Sequence, residues 1–185
     1  MGIVARIQRH RRFPVLFEAV SRVMAELPNV WLLVLGRGTH AKEIAHDSVR
    51  RLGIGDRTRL PGYVGGDDYP AAVATFDLKV FLVPGSDGTC RAVREAMASG
   101  VPIVQPRRGA ATEIVETTGG GLLVAPGDRD ALARGLAEML SDPARRRSLG
   151  DRGYDGVRAH YHAAAMRDRA IEVYRAALAR AGRNG

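Results

Sequence analysis

The sequence holds few residues suited to redox or metal chemistry. One of its 185 residues is a cysteine, which excludes a disulfide within the chain, and Cys90 lacks a partner at zinc-ligand spacing. Aromatic residues make up 5% of the chain, too few for a row of stacking platforms along a single-stranded nucleic acid. No apolar run reaches the ~20 residues that span a bilayer, and no secretory leader pattern follows Met1, so a cytoplasmic protein is the default expectation. Lysine is nearly missing. Lys42 and Lys79 are the only two, so arginine carries almost all of the positive side of a net charge of +8. Such a balance suits anionic partners (nucleotide phosphates, nucleic acid or an acidic membrane surface) without choosing among them. Abundant Ala, Arg and Gly are equally the mark of a GC-rich genome.

What the chain does have is alternation. Short apolar runs at residues 3–6, 30–35, 57–60, 78–83, 102–104 and 121–124 read as strands, and 30–35 and 78–83 read as strands buried on both faces. Helix-length amphipathic segments at 13–26, 41–52, 67–75, 89–98 and 111–115 lie between them. This order predicts βαβ units and one Rossmann-like, doubly wound parallel sheet flanked by helices. A helical C-terminal tail follows, with one helix at 129–140, a second starting over 143–150, and a long last one at 163–181. The last helix carries an apolar stripe of Ala170, Ile171, Val173, Tyr174 and Leu178. The whole of 1–185 reads as a single domain, and its first strand opens so close to Met1 that truncation from a longer protein is expected.

Doubly wound sheets bind ligands beyond the carboxyl ends of their strands. The richest of those loops runs into residues 84–100, PGSDGTCRAVREAMASG. Asp87 sits just ahead of a helix and Glu95 two turns into it, a rise of about 12 Å between them. That span matches the reach from a hexose across a diphosphate to a ribose. The free amides of the helix start would hold the phosphates between the two carboxylates. On chemistry alone, an N-cap at Asp87 and a solvated Glu95 explain the pattern at least as well.

Two acidic residues followed by Ala-Met-Ala-Ser-Gly-Val-Pro-Ile-Val resemble the signature of the retaining glycosyltransferases with two Rossmann domains, family 4 or group 1 type. Glu95 stands at the family's second glutamate, which the resemblance assigns to the donor ribose. Asp87 stands at the first, beside the reacting carbon of the sugar. It is one methylene shorter, and Thr89 and Cys90 replace the usual Phe and Gly. The opening segment is similar to the family's Gly-x-x-x-Arg followed by a lysine. Arg6 matches the arginine and Arg11 the lysine, a pair that would neutralise the departing diphosphate. The family usually has glycine next, where this chain has Arg12. Residues 33–38, LVLGRG, resemble the Val-Gly-x-Gly turn and bring in Gly36 and Gly38. Residues 60–64, LPGYV, resemble the segment that meets the nucleobase and bring in Gly62, Tyr63 and Val64. Residues 119–140 resemble the architectural Gly-Leu-Leu-Val-x-Pro-Gly-Asp segment and the helix after it.

The resemblance implies the C-terminal, donor-binding half of a hexosyl-type transferase that uses a nucleotide-diphosphate sugar and lacks its N-terminal Rossmann domain. Asp87 and the amides of Gly88, Thr89 and Cys90 would hold the sugar, and the amides of Arg91 and Ala92 the phosphate. No cofactor and no metal is expected. The one Asp-x-Asp triplet, Asp128 to Asp130, reads as a helix cap, and His160 and His162 have no third ligand beside them. A cysteine nucleophile is not expected at Cys90, because no His-Asn/Asp arrangement accompanies it. The isolated piece is expected to bind donor weakly and to transfer little or nothing. Base, sugar and acceptor have no signature in these residues. Membership among peripheral membrane enzymes would add contact at the inner face of the membrane. Two competing readings remain: a basic regulatory module binding nucleic acid or membrane surface through Arg145–Arg147 and the last helix, and a fragment of a nucleotide-sugar epimerase.

Overall fold

The computed structural model describes residues 1–83 and 90–181. They form one six-stranded, all-parallel sheet: β1 (Gly2–Val4), β2 (Leu32–Leu35), β3 (Thr58–Gly62), β4 (Lys79–Val80), β5 (Ile103–Pro106) and β6 (Gly121–Val124). The spatial order is β3-β2-β1-β4-β5-β6. The chain therefore builds outward from β1 in one direction, then returns to its other side and builds the opposite way. The gap between the ends of β1 and β4 is the switch point of the fold.

Eight α-helices cover the sheet among the described residues: α1 (Phe13–Glu26), α2 (Asp47–Arg51), α3 (Asp68–Ala74), α4 (Arg91–Ala98), α5 (Ala110–Thr118), α6 (Arg129–Ser141), α7 (Pro143–His160) and α8 (Ala163–Ala181). Two hydrophobic clusters lie on opposite faces of the sheet. One holds the inner side chains of α1 and α6, with Phe13, Leu16, Phe17, Leu132 and Leu136 against Leu32, Val34 and Val80. The other holds those of α4 and α5, with Val93, Met97, Ile114 and Val115 against Leu35 and Ile103. Helix ends follow local chemistry. The Asp128 carboxylate accepts from the amides of Asp130 and Ala131 at the start of α6, as a cap does. After α4, Gly100 takes a left-handed φ of 72°, and the amides of Gly100 and Val101 return to Met97 and Ala96, a complete Schellman closure.

The expected class and element order hold, and several bounds differ. The 41–52 helix divides into a π-helical turn at Lys42–His46 and the short α2. β3 runs through Pro61 and Gly62, which were expected to break it; β3 is an edge strand, where a residue without an N–H is tolerated. β4 is two residues long instead of six, and its first residue is a fully buried lysine. α7 continues past Gly150 to His160, because its glycines serve close packing rather than termination. A Cβ on Gly150 would lie 2.2 Å from the Gly100 carbonyl oxygen, and one on Gly156 would lie 2.6 Å from Thr118 Cβ. The apolar stripe of α8 is present but covered by nothing among the described residues. No residue of α8 is buried, and Val173, Tyr174 and Leu178 are each about two-thirds exposed or more. No helix of the described chain is long and apolar enough to cross a membrane.

In an exposed helix, replacing glycine by alanine adds about 1 kcal/mol of stability. Gly150→Ala should have the opposite sign and cost about 1–3 kcal/mol by forcing α7 off the Gly100 turn. Urea unfolding followed by circular dichroism reads this directly, and a stabilised variant would disprove the close packing.

Candidate functional site

A cavity of about 470 Å³ opens at the switch point, within the range of small-molecule sites. Its walls come from the carboxyl ends of β1, β2 and β4, the 63–66 loop, α3 and the start of α4. Of the residues singled out in the sequence, Arg6, Arg11, Gly36, Tyr63, Val64, Cys90, Arg91, Ala92 and Glu95 line it. Gly38 and Gly62 stand one layer behind. The Gly62 carbonyl accepts from the Gly36 amide at 2.8 Å, and a Cβ on Gly38 would lie 1.9 Å from the Ile7 carbonyl oxygen. These two shape the wall and do not form its surface. Asp87, Gly88 and Thr89 lie outside the described residues.

The basic side of the cavity is built by the β1–α1 connection. Arg6 is exposed just beyond β1. Arg11 lies in a short helical turn, and its guanidinium donates to the Val83 carbonyl at 3.0 Å, bridging the loop to the far side of the switch point. Gly36 is required here by contact, since a Cβ would lie 1.9 Å from the Ala5 carbonyl oxygen. The other end of the cavity is aromatic. Tyr63 is 67% exposed, which favours a wall position over the half-buried strand end that was its alternative, and the Arg37 guanidinium sits 5.0 Å from its ring centre.

The third side is the first turn of α4. Arg91 and Ala92 are its first two residues, and amides at a helix start have no acceptor within the helix. The macrodipole adds partial positive charge at the same point. Cys90, the residue before α4, is buried at 2% exposure and has φ 51°, ψ 36°. Arg12, the residue before α1, has φ 57°, ψ 31°. They are the two non-glycine residues with left-handed backbone among those described, and both stand where the sequence comparison above expected glycine. Both positions hold a backbone conformation that glycine adopts without strain.

Glu95 faces the cavity from the next turn of α4. The Tyr69 hydroxyl donates to its Oε2 at 2.7 Å, and the Arg91 Nε lies 3.3 Å from its Oε1. Burial, then the bond to Glu95, hold the Tyr69 phenol well above its ordinary range. Below them, Lys79 is fully buried in the central strand and donates from Nζ to the Ala92 carbonyl. Burial lowers its pKa to about 7, opposed in part by the charge of Glu95. Neither Tyr69 nor Lys79 was singled out in the sequence. Lys79 had a visible signal, a charge inside an otherwise apolar run, whereas Tyr69 reaches Glu95 across 26 residues with no spacing rule to mark it.

The sequence pattern of "Glycosyl transferases group 1" matches residues 1–156. The chain belongs to this family. Among relatives of this group 1 chain, the lipopolysaccharide core biosynthesis glycosyltransferase LpsE of Rhizobium meliloti (strain 1021) is 28% identical over 171 residues, 92% of this chain and 48% of that protein. The chain thus spans about half the length of that relative. In structure it is similar to the C-terminal domain of a group 1 glycosyl transferase, LpcC of Francisella tularensis. The TM-score is 0.76 at 25% identity, covering 88% of this chain and 86% of that one. It is also similar to Anabaena Alr3699/HepE, solved in complex with UDP, with a TM-score of 0.81 at 21% identity, covering 95% of this chain and 48% of the other.

Two outcomes follow from this geometry. Arg12→Gly, at an exposed position, should stabilise the protein by about 0.5–1 kcal/mol, the relief of a left-handed Cβ less the entropy of the added glycine. A rise in melting temperature checks this, and a fall would contradict the left-handed assignment. Lys79 gives the second. Its ordinary pKa of 10.5 falls to about 7 on folding, so between pH 10 and 7 the unfolded chain holds a proton that the folded chain lacks. Stability should therefore fall with falling pH across that window, by about 1.4 kcal/mol per pH unit from this group, and level off below it. Urea midpoints at several pH values would show the slope, and Lys79→Met should remove it.

Proposed function

We propose that this chain is the donor-binding, C-terminal half of a glycosyltransferase that moves a sugar from a nucleoside diphosphate to an acceptor with retention of configuration. One observation carries the reading: a single cavity at the switch point is lined by four arginines (Arg6, Arg11, Arg37 and Arg91), a helix N-terminus and a carboxylate. Arg6 and Arg11 hold the diphosphate, and their fixed charge stabilises it as it departs, when negative charge on it is greatest. The amides of Arg91 and Ala92 receive the phosphate oxygens nearest α4. Glu95 accepts from the ribose hydroxyls. Tyr63, backed by Arg37, offers its ring to the base. Asp87 and the amides of Gly88 to Cys90 hold the sugar in this reading, which rests for Asp87 on its place in the sequence.

The charge is supplied by guanidinium groups and a helix dipole, so no metal is assigned a step. The acceptor binds across the cleft on the N-terminal half that the longer relatives possess. That half supplies the other wall of the reaction site, so the present chain binds donor weakly and transfers no sugar by itself. Contact with the inner face of a membrane belongs to the same proposal, as the place where a lipid-linked acceptor would be met.

Calorimetric titration with UDP, GDP and ADP tests the reading. Arg11→Glu should weaken all of them by about tenfold or more, the loss of a charge-assisted bond plus new repulsion. A wild-type chain that binds none of them at millimolar concentration, or an Arg11→Glu variant that binds as wild type does, removes the assignment. Turnover of the donor's sugar configuration without any acceptor would favour an epimerase instead.

A further inference from the structure

A lysine in the middle of a buried parallel strand is a poor choice for packing. Lys79 is 0% exposed between Leu78 and Val80, which are equally buried, and β1 and β5 flank it on both sides. Its ammonium loses hydration there, and an apolar side chain of similar length would fill the same volume at lower cost. Among the described residues the compensation is local and lies at one place. Nζ donates to the Ala92 carbonyl in the first turn of α4, and the negative charge acting on it is that of Glu95.

Glu95 in turn is held from two further directions. Tyr69 on α3 donates to Oε2 at 2.7 Å, and Arg91 on α4 approaches Oε1 at 3.3 Å. The Arg91 side chain is 76% exposed, so its grip is screened by water; the Tyr69 bond is partly buried and the stronger constraint. An ionised carboxylate has about four acceptor directions, and among the described residues these contacts use one on each oxygen. A second direction on each oxygen, side by side, suits two adjacent hydroxyl groups.

We propose that Lys79 and Tyr69 are positioning residues for Glu95, Lys79 pinning the first turn of α4 from beneath and Tyr69 fixing the carboxylate from the side, so that Glu95 presents both oxygens to a vicinal diol. This rests on the donor-site reading above, in which that diol is the ribose. Neither residue touches the ligand through its polar group. Their effect is on how well the site tells a ribose from a ring without hydroxyls. Among the described residues, the charged and titratable groups facing Lys79 and the carboxylate are Glu95 and Arg91 from α4 and Tyr69 from α3.

The test compares the full chain with Tyr69→Phe, Lys79→Met and Lys79→Gln. Affinities are measured for UDP, for its 2′,3′-dideoxy analogue and for inorganic pyrophosphate. The wild type should prefer UDP over the dideoxy analogue, and each variant should lower that preference by about fivefold, a hydrogen bond's worth, with pyrophosphate affinity unchanged in Tyr69→Phe. A preference equal to wild type in the variants overturns the proposal, and so does an equal loss on all three ligands, the mark of a merely structural role. If neither Lys79 variant folds, the wild-type preference between pH 6 and 9 decides. It should fall as Lys79 loses its proton near pH 7, and a flat profile overturns the role of Lys79. A wild type that binds no UDP fails at the earlier step and refutes the donor site itself, an outcome distinct from unchanged discrimination.

Discussion

A parallel sheet that grows first one way and then the other cannot cover the place where its two halves part. Here that place is the end of β1 against the end of β4, and everything of chemical interest gathers there. The connections leaving β1 and β4 diverge to opposite faces, one toward α1 and the other toward α4. Arg11 crosses the opening to the Val83 carbonyl, so the two sides are tied by a side chain where backbone pairing ends. The same divergence points the start of α4 at the opening and supplies amides without acceptors. A pocket of this kind needs no special evolution of its walls, because the winding of the chain creates it.

The sequence revealed what depends on local periodicity and failed where distant parts of the chain meet. The bounds of α1, β6 and α8 match the expected segments because each is framed by its own pattern: apolar spacing after a proline in α1, glycine then three apolar residues in β6, alanine and arginine spacing in α8. The role of Gly150 was hidden for the opposite reason. A glycine in a helix ordinarily marks an end or a weakness, and the reason for this one lies fifty residues away in the Gly100 turn. Lys79 was read as part of an apolar run, since periodicity counts side chains and not the carbonyl an amine will find. Arg6, Arg11 and Glu95 were identifiable because their residue types and separations resemble a known signature. Tyr69, whose contact with Glu95 depends on how α3 leans on α4, was not.

The two left-handed residues show how a motif changes while its geometry is kept. Glycine is favoured before α1 and α4 because the backbone must turn sharply there to aim each helix at the opening. Arg12 and Cys90 hold the same turn at a cost in strain. That strain is carried at the starts of α1 and α4, and the well-packed helices that follow hold it in place.

α8 has a different kind of consequence. Its shape is maintained by the hydrogen bonds of its own backbone, with no residue buried against the sheet domain. With nineteen residues it is long enough to keep helical order partly through its own backbone bonds, and its first turns meet the body where Arg94 approaches Met166 and Arg169 lies over the Tyr161 ring. A change in the outer turns of α8 therefore alters the tail without touching the sheet, so the order of this helix and the stability of the sheet domain are separate quantities.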